Sequence, residues 1–340
     1  MTGGAPAQAR TFARRVVRRV SREIVERAAK HAPPLPAPMV GDHDAVVAQG
    51  RSVPFEAWER SGWHLTKADF LSPIPIVAEL PESVFTTESE LPGIDMRDEA
   101  QVAFLREVAQ RFSEEYDALP RTSPDGTNTR YFLNNSAFET VDAEIYYSML
   151  RLHQPRKIIE IGSGWSTLLS FEALRRNAAE GHPAKITAIE PYPYDYLREA
   201  VKANPDLVEL WETPLQKVPL DTFQQLDEGD FLFIDSSHVL KIGSDVQYEF
   251  LEILPRLPSG VIVHVHDIFL PVEYPRQWVV DEHRFWNEQY LLQAYLVDNA
   301  RVEVLWGGAW MHVKHPDELR KAIASYTAAG PPGSFWFRIR

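Results

Sequence analysis

The chain has 340 residues, 44% of them hydrophobic and 24% charged, with 9 Trp, 17 Phe and 12 Tyr. That suffices for one large α/β domain with an appended segment, or for two small domains. The absence of cysteine excludes disulfides, thiolate zinc sites and cysteine nucleophiles and points to a reducing cytoplasm. A formal charge of -13 argues against nucleic acid as a general partner, and no apolar run approaches the roughly 18 to 20 residues that span a bilayer.

In chain order, the first element is a basic one. Residues 9–30 carry eight Arg and Lys against Glu23 and Glu26, while Phe12, Val16, Val20 and Ile24 recur every four residues, the mark of an amphipathic helix. Two readings stand side by side: a helix that contacts a membrane surface or a partner protein, and a solvated helix packed loosely on the main domain. The second is favoured because aromatic anchors are few. A proline-rich linker, HAPPLPAP, follows. The expected organisation is therefore residues 1–40 as helix and linker, 41–130 as an irregular cap in which residues 98–116 form the clearest helix, and 131–340 as the main domain.

That domain opens with a helix expected over 136–152 and then alternates. Apolar stretches at 157–161, 185–189, 207–211, 231–234 and 261–266 read as strands, and those at 166–179, 194–203, 221–226 and 245–254 read as helices. Near-continuous apolar strands alternating with helices predict a parallel sheet covered on both faces. Residues 302–305 and 311–314, joined by WGGAW, read as a closing hairpin whose last strand is antiparallel.

The first strand ends IIEIGSGWSTLLS. Gly162 and Gly164 permit a tight strand-to-helix turn and close approach of backbone N–H groups to a ligand. A dinucleotide fingerprint wants a third glycine where Thr167 stands. Glu160 before the loop suits an ammonium-bearing ligand better than a pyrophosphate. Glu190, at the tip of the second strand, is placed to accept hydrogen bonds from two ribose hydroxyls, and Gln216, in the loop after the third strand, to meet an adenine edge.

EIGSGWSTLLS, AIEPYP and FLFIDSSHVLKIGSDVQYEFLEILPRLPSGVIVHVHDIFLP together resemble class I S-adenosylmethionine-dependent methyltransferases, and in particular the methyltransferase domain 24 group. The resemblance covers roughly residues 130 to 340. It implies a Rossmann-like, mostly parallel seven-stranded α/β sheet with the last strand antiparallel. It also implies S-adenosyl-L-methionine as cofactor, bound by Glu160, Gly162, Ser163, Gly164, Ser166, Glu190, Gln216 and Asp235. Ser166 stands where the group's third glycine is usual.

Asp235 ends the fourth strand, with His238 three residues on, and His266 and Asp267 end the fifth. Two carboxylates and an imidazole suit Mg²⁺ or Mn²⁺, so Asp235, His266 and Asp267 are the candidate metal ligands. The arrangement is similar to that of metal-dependent O-methyltransferases acting on macrolide-linked sugars. It implies His238 as the base and Asp235 as its catalytic companion, although His266 replaces the family's acid. His264 reads as a hydrogen-bonded core histidine, and Asp245 as a first-turn partner of a helix dipole. On the acceptor side, Trp278, His283, Arg284, Trp286, Asn287 and Tyr290 suit a hydroxylated ring or simply pack a helix. Tyr131, Asn134, Asn135 and Asp142 are candidates for a lid over the donor.

The expected activity is methyl transfer to a hydroxyl of a small-molecule or glycan acceptor. Metal-independent or N-directed transfer, and a catalytically silent donor-binding module docked to a membrane or partner, are the alternatives. A homo-oligomer is compatible with the sequence.

Overall fold

The structure, a computed structural model, describes residues 59, 60, 62, 64, 66–124 and 126–340. The basic segment 9–30 and the linker lie outside them. The chain divides into two compact units, Met1–Ile76 and Val77–Arg340. In the first, the described stretch is irregular: Asp69 Oδ1 accepts from the Leu71 N–H and Ser72 Oγ from the Ile74 N–H, and Phe70 and Leu71 are exposed.

The second unit holds a seven-stranded sheet. Its elements are α1 (Asp98–Tyr116), α2 (Asp142–His153), β1 (Lys157–Ile161), α3 (Trp165–Ala179), β2 (Lys185–Ile189), α4 (Asp195–Ala203), β3 (Val208–Trp211), β4 (Phe231–Ile234), α5 (Asp245–Tyr248), β5 (Ile262–Val265), α6 (Glu288–Leu296), β6 (Val302–Gly307), α7 (Gly308–Lys314), α8 (Pro316–Ala322) and β7 (Phe335–Ile339). The strand order is β3-β2-β1-β4-β5-β7-β6. Strands β1 to β5 pair in parallel, and β7 runs antiparallel to both β5 and β6. Alternate residues face opposite sides. Ile158, Ile186, Phe231, Phe233 and Trp336 join one apolar cluster with residues of α1, α2 and α3, while Ile159, Ile161, Leu232, Val263 and Phe337 join the other.

Three expectations are corrected. Residues 311–314 are not a strand but the end of α7, and the last strand is Phe335–Ile339. A Cβ on Gly308 would come within 3.1–3.2 Å of Pro332 and of the Ser334 carbonyl, so the glycine pair admits the returning chain instead of turning a hairpin. The helix expected from 136 begins at Asp142, because Asn135 Oδ1 accepts from the N–H groups of Ala137 and Phe138 and holds a turn that competes with helix. The expected helix 245–254 is α-helical only to Tyr248 and continues as a π-turn over Glu249–Ile253. Among the described residues, no helix is long and apolar enough to cross a membrane.

Candidate active site

Strand order reverses between β1 and β4, and ligands of open α/β sheets bind outside the strand ends at such a switch point. A cavity of about 450 Å³ lies there, walled by Gly162, Glu190, Tyr192, Leu215, Gln216 and Asp235 among others. Gly162 has φ 76°, and a Cβ on it would sit 1.8 Å from the Asp235 carbonyl oxygen. The β1 loop is therefore pressed directly onto the end of β4. Glu190 Oε1 accepts from the Tyr192 N–H at 2.7 Å and Oε2 from the Ser163 N–H at 3.4 Å. Ser163 Oγ is buried without a hydrogen-bond partner. Gln216 donates its Nε2 to the Gly243 carbonyl at 3.0 Å, so its amide bridges the cavity's two walls.

Four of the sequence-derived donor contacts, Glu160, Ser163, Gly164 and Ser166, do not line this cavity. Glu160 shares the strand face of Ile158 and is fully buried; it accepts from Ser166 Oγ at 2.5 Å and Thr167 Oγ1 at 2.7 Å. Burial pushes its carboxyl up to about 8 against the pull of those hydroxyls. Glu160 and Ser166 thus tie β1 to the first turn of α3. The lid residues are likewise engaged within the chain. Asp142 accepts from the N–H groups of Gly333 and Ser334, both at 2.9 Å, and Tyr131 donates to the Phe138 carbonyl.

Asp235, on the cavity wall, is one of three side chains that converge. Among the described residues, Asp235, His238 and Asp267 bring one ligand atom each within 4.8 Å of one another. His238 Nε2 lies 3.3 Å from Asp235 Oδ1 and 3.6 Å from Asp267 Oδ2. Both His238 (φ 59°) and Asp267 (φ 55°) adopt left-handed backbone, a strained conformation that persists where the surroundings over-determine it. Here Gly333 supplies part of that constraint, since a Cβ on it would lie 3.1 Å from the Cα of Asp267.

His266 lies outside this cluster, although it borders Asp267. It follows His264 onto the buried face, its ring 5.1 Å from that of Phe138, with Nε2 3.7 Å from Asp267 Oδ1 and Nδ1 unpartnered. His238 is thus the imidazole whose Nε2 meets both aspartates, while His266 borders Asp267 from the buried face. His264 is a core histidine: its ring stacks on Phe233 at 3.9 Å and its Nε2 lies 3.1 Å from Ser334 Oγ.

Burial disfavours a charged His238, but the hydrogen bonds to Asp235 and Glu288 and the charge of Asp267 outweigh it and lift the imidazole well above 6.5. Burial raises Asp235 too, yet His266 and His238 bring it below its ordinary value, whereas for Asp267 burial prevails and the carboxyl is raised. Two neighbouring carboxylates pushed apart in this way are suited to different tasks. A residue that sequence reasoning missed completes the group: Glu288, at the start of α6, places Oε2 2.9 Å from His238 Nδ1. It lies fifty positions from its partner, and nothing in its local pattern marks it.

Beyond His238 the aromatic segment forms a wall. The Trp286 ring lies 4.4 Å from the His238 ring and 5.1 Å from Trp278, and the Arg284 guanidinium sits 4.8 and 5.1 Å from the two indoles.

The sheet order, the cavity at its switch point and the glycine turn pressed onto β4 are those of the class I methyltransferase fold. Residues 159–268 match the methyltransferase domain described as Methyltransf_24. The chain is 34% identical over 165 residues to an uncharacterized protein of Archaeoglobus fulgidus, covering 47% of this chain and 72% of that one. It thus belongs to this methyltransferase family. Among solved structures it is similar to an S-adenosylhomocysteine-bound methyltransferase of Podospora anserina (18% identity, 71% of this chain and 88% of that one, TM-score 0.38). It is also similar to the TDP-rhamnose 3'-O-methyltransferase of calicheamicin biosynthesis (15% identity, 76% and 99%, TM-score 0.39).

Proposed function

We propose that the chain methylates a hydroxyl of a glycan or secondary metabolite with the help of a divalent cation, in the cytoplasm. The observation that carries this reading is the convergence of Asp235, His238 and Asp267 within 4.8 Å, with Asp235 also on the wall of the donor cavity. The donor fits that cavity on two counts: Glu190 on its wall for the ribose, and a glycine at 162 where any side chain would collide. Two carboxylates and an imidazole fit Mg²⁺ or Mn²⁺, and such a cation supplies polarisation of the acceptor hydroxyl.

The residues divide the remaining work. Asp235 faces both the donor and the metal group and fixes the distance between them. Among the described residues, His238 is the imidazole whose Nε2 meets both aspartates. The two carboxylates against its Nε2 favour its protonated form, and a cation held beside them would lower its affinity for that proton and leave it neutral, able to serve as a base. Trp286 and Trp278, packed edge to face with Arg284 over both, give an aromatic corner with a polar rim, which suits a ring-shaped hydroxylated acceptor.

Release of S-adenosylhomocysteine over a panel of sugar, glycoside and polyketide acceptors tests the reading, each assayed with Mg²⁺, with Mn²⁺ and with EDTA. Turnover by amine acceptors alone would overturn it. A metal-free variant of the same transfer is favoured by one observation, the imidazole lodged between the aspartates; full turnover in EDTA would select it.

A further inference from the structure

We infer that Glu288 is a positioning residue, which holds the His238 ring through Nδ1 so that Nε2 alone is presented to Asp235 and Asp267. Three consecutive residues at the start of α6 grip the loop that carries His238. The N–H groups of Asn287 and Glu288 donate to the His238 carbonyl at 3.1 and 3.3 Å. The Asn287 side chain bonds both backbone groups of Leu240, accepting from its N–H at 2.6 Å and donating to its carbonyl at 3.4 Å. Trp286 packs on the imidazole at 4.4 Å, and the Glu288 carboxylate meets Nδ1 at 2.9 Å.

Such a grip has a physical reason. His238 sits at φ 59°, which a β-carbon disfavours by roughly 1–2 kcal/mol, so the loop holds this shape only if something outside it does the holding. The imidazole has two nitrogens, and the ring is free to flip unless one is claimed. Glu288 is 1% exposed and makes its hydrogen bond to His238 from a position outside the donor cavity wall. Burying a carboxylate is costly without a partner; this one has the histidine on Oε2 and none on Oε1. An acid kept in so dry a place for one bond acts through that bond.

The inference rests on the methyl-transfer reading for its catalytic meaning, so the experiment carries a readout that needs neither donor nor acceptor. In protein with labelled histidine, the Nδ1 proton of His238 is expected as a slowly exchanging, downfield resonance, assigned by its disappearance in His238→Gln. Glu288→Gln, which keeps an acceptor oxygen, should retain the resonance and most of kcat. Glu288→Ala should lose the resonance and roughly 10- to 100-fold in kcat, with the affinity for S-adenosylhomocysteine unchanged. An Ala variant with full kcat overturns the inference, as does a folded Gln variant without the resonance, which keeps the test decisive even if the Ala variant does not fold. A protein that shows the resonance but methylates no acceptor upholds the positioning and overturns the methyl-transfer reading instead.

Discussion

Gly162 and Asp235 meet backbone to backbone: the space in which a Cβ of residue 162 would stand is taken by the Asp235 carbonyl, 1.8 Å away. The loop after β1 and the tip of β4 therefore form one surface, and the donor cavity is the hollow beside it. Gly162→Ala has no adjustment open to it, since both neighbours are backbone and φ is 76°. The expected cost is about 2–4 kcal/mol from the left-handed penalty and overpacking together. Calorimetry should show a lowered Tm and no binding of S-adenosylhomocysteine.

Glu190 offers both carboxylate oxygens to the cavity mouth while two backbone N–H groups hold it in place. Loss of a charged acceptor is worth about 1.5–3 kcal/mol. Titration calorimetry of Glu190→Gln should therefore show S-adenosylhomocysteine bound at least about tenfold more weakly. The same variant should no longer distinguish the ligand from its 2'-deoxy analogue. Equal discrimination by both proteins would remove Glu190 from the ribose.

Asp267 stands in the metal group but off the wall of the donor cavity, so the two kinds of binding separate there. In thermal shift, Mg²⁺ or Mn²⁺ should raise the Tm of the wild type and leave Asp267→Asn unmoved, with donor affinity alike in both. Asp235→Asn, on the cavity wall as well, should lose cation stabilisation and weaken the donor. A cation shift that survives in Asp267→Asn would mean that the ion binds elsewhere.

Glu160 sets a pH dependence of stability. Its carboxyl ionises near 4.5 when unfolded and near 8 in the fold, where burial holds the proton. The folded state thus binds the extra proton between those values, and stability falls as pH rises through that window. The contribution is full below pH 4.5 and gone once pH passes about 8. Glu160→Gln carries no such proton and should lose less stability between pH 5 and pH 8 in urea titrations, the difference between the two slopes isolating this one group. Parallel slopes would show that the wild-type carboxyl is already ionised at pH 5.

Much of the sheet was readable from residues alone. Strands 157–161, 185–189 and 231–234 have the bounds expected of them, because each is an apolar run closed by a polar or glycine-rich turn. Glu190 and Asp235 line the cavity, as an acid that ends an apolar strand in such a sheet is expected to. The end of the chain was misread because MHVK and FWFRI are equally short and apolar, and length cannot separate helix from strand in such runs. Glu160 was misdirected because both faces of β1 are covered, so alternation does not tell which side meets the ligand. For His266 the clue was present: it shares parity with His264, and only Asp267 turns the other way. Glu288 was beyond reach, since a partner fifty residues distant leaves no mark in local spacing.

The position of β7 between β5 and β6 has a consequence for how the molecule is made. Until residues 335–339 leave the ribosome, β5 is an open sheet edge with unpaired amides, and β6 has no strand to join. Asp267 also lacks its support, because Gly333 and the Asp142 carboxylate that holds it come together only with that last strand. Strands β1 to β4 need no part of β7 for their pairing, whereas the group around Asp267 waits for it. A nascent protein would thus pass through a stage able to hold its donor but not yet to use it, and that stage, with its bare edge, is where aggregation would begin.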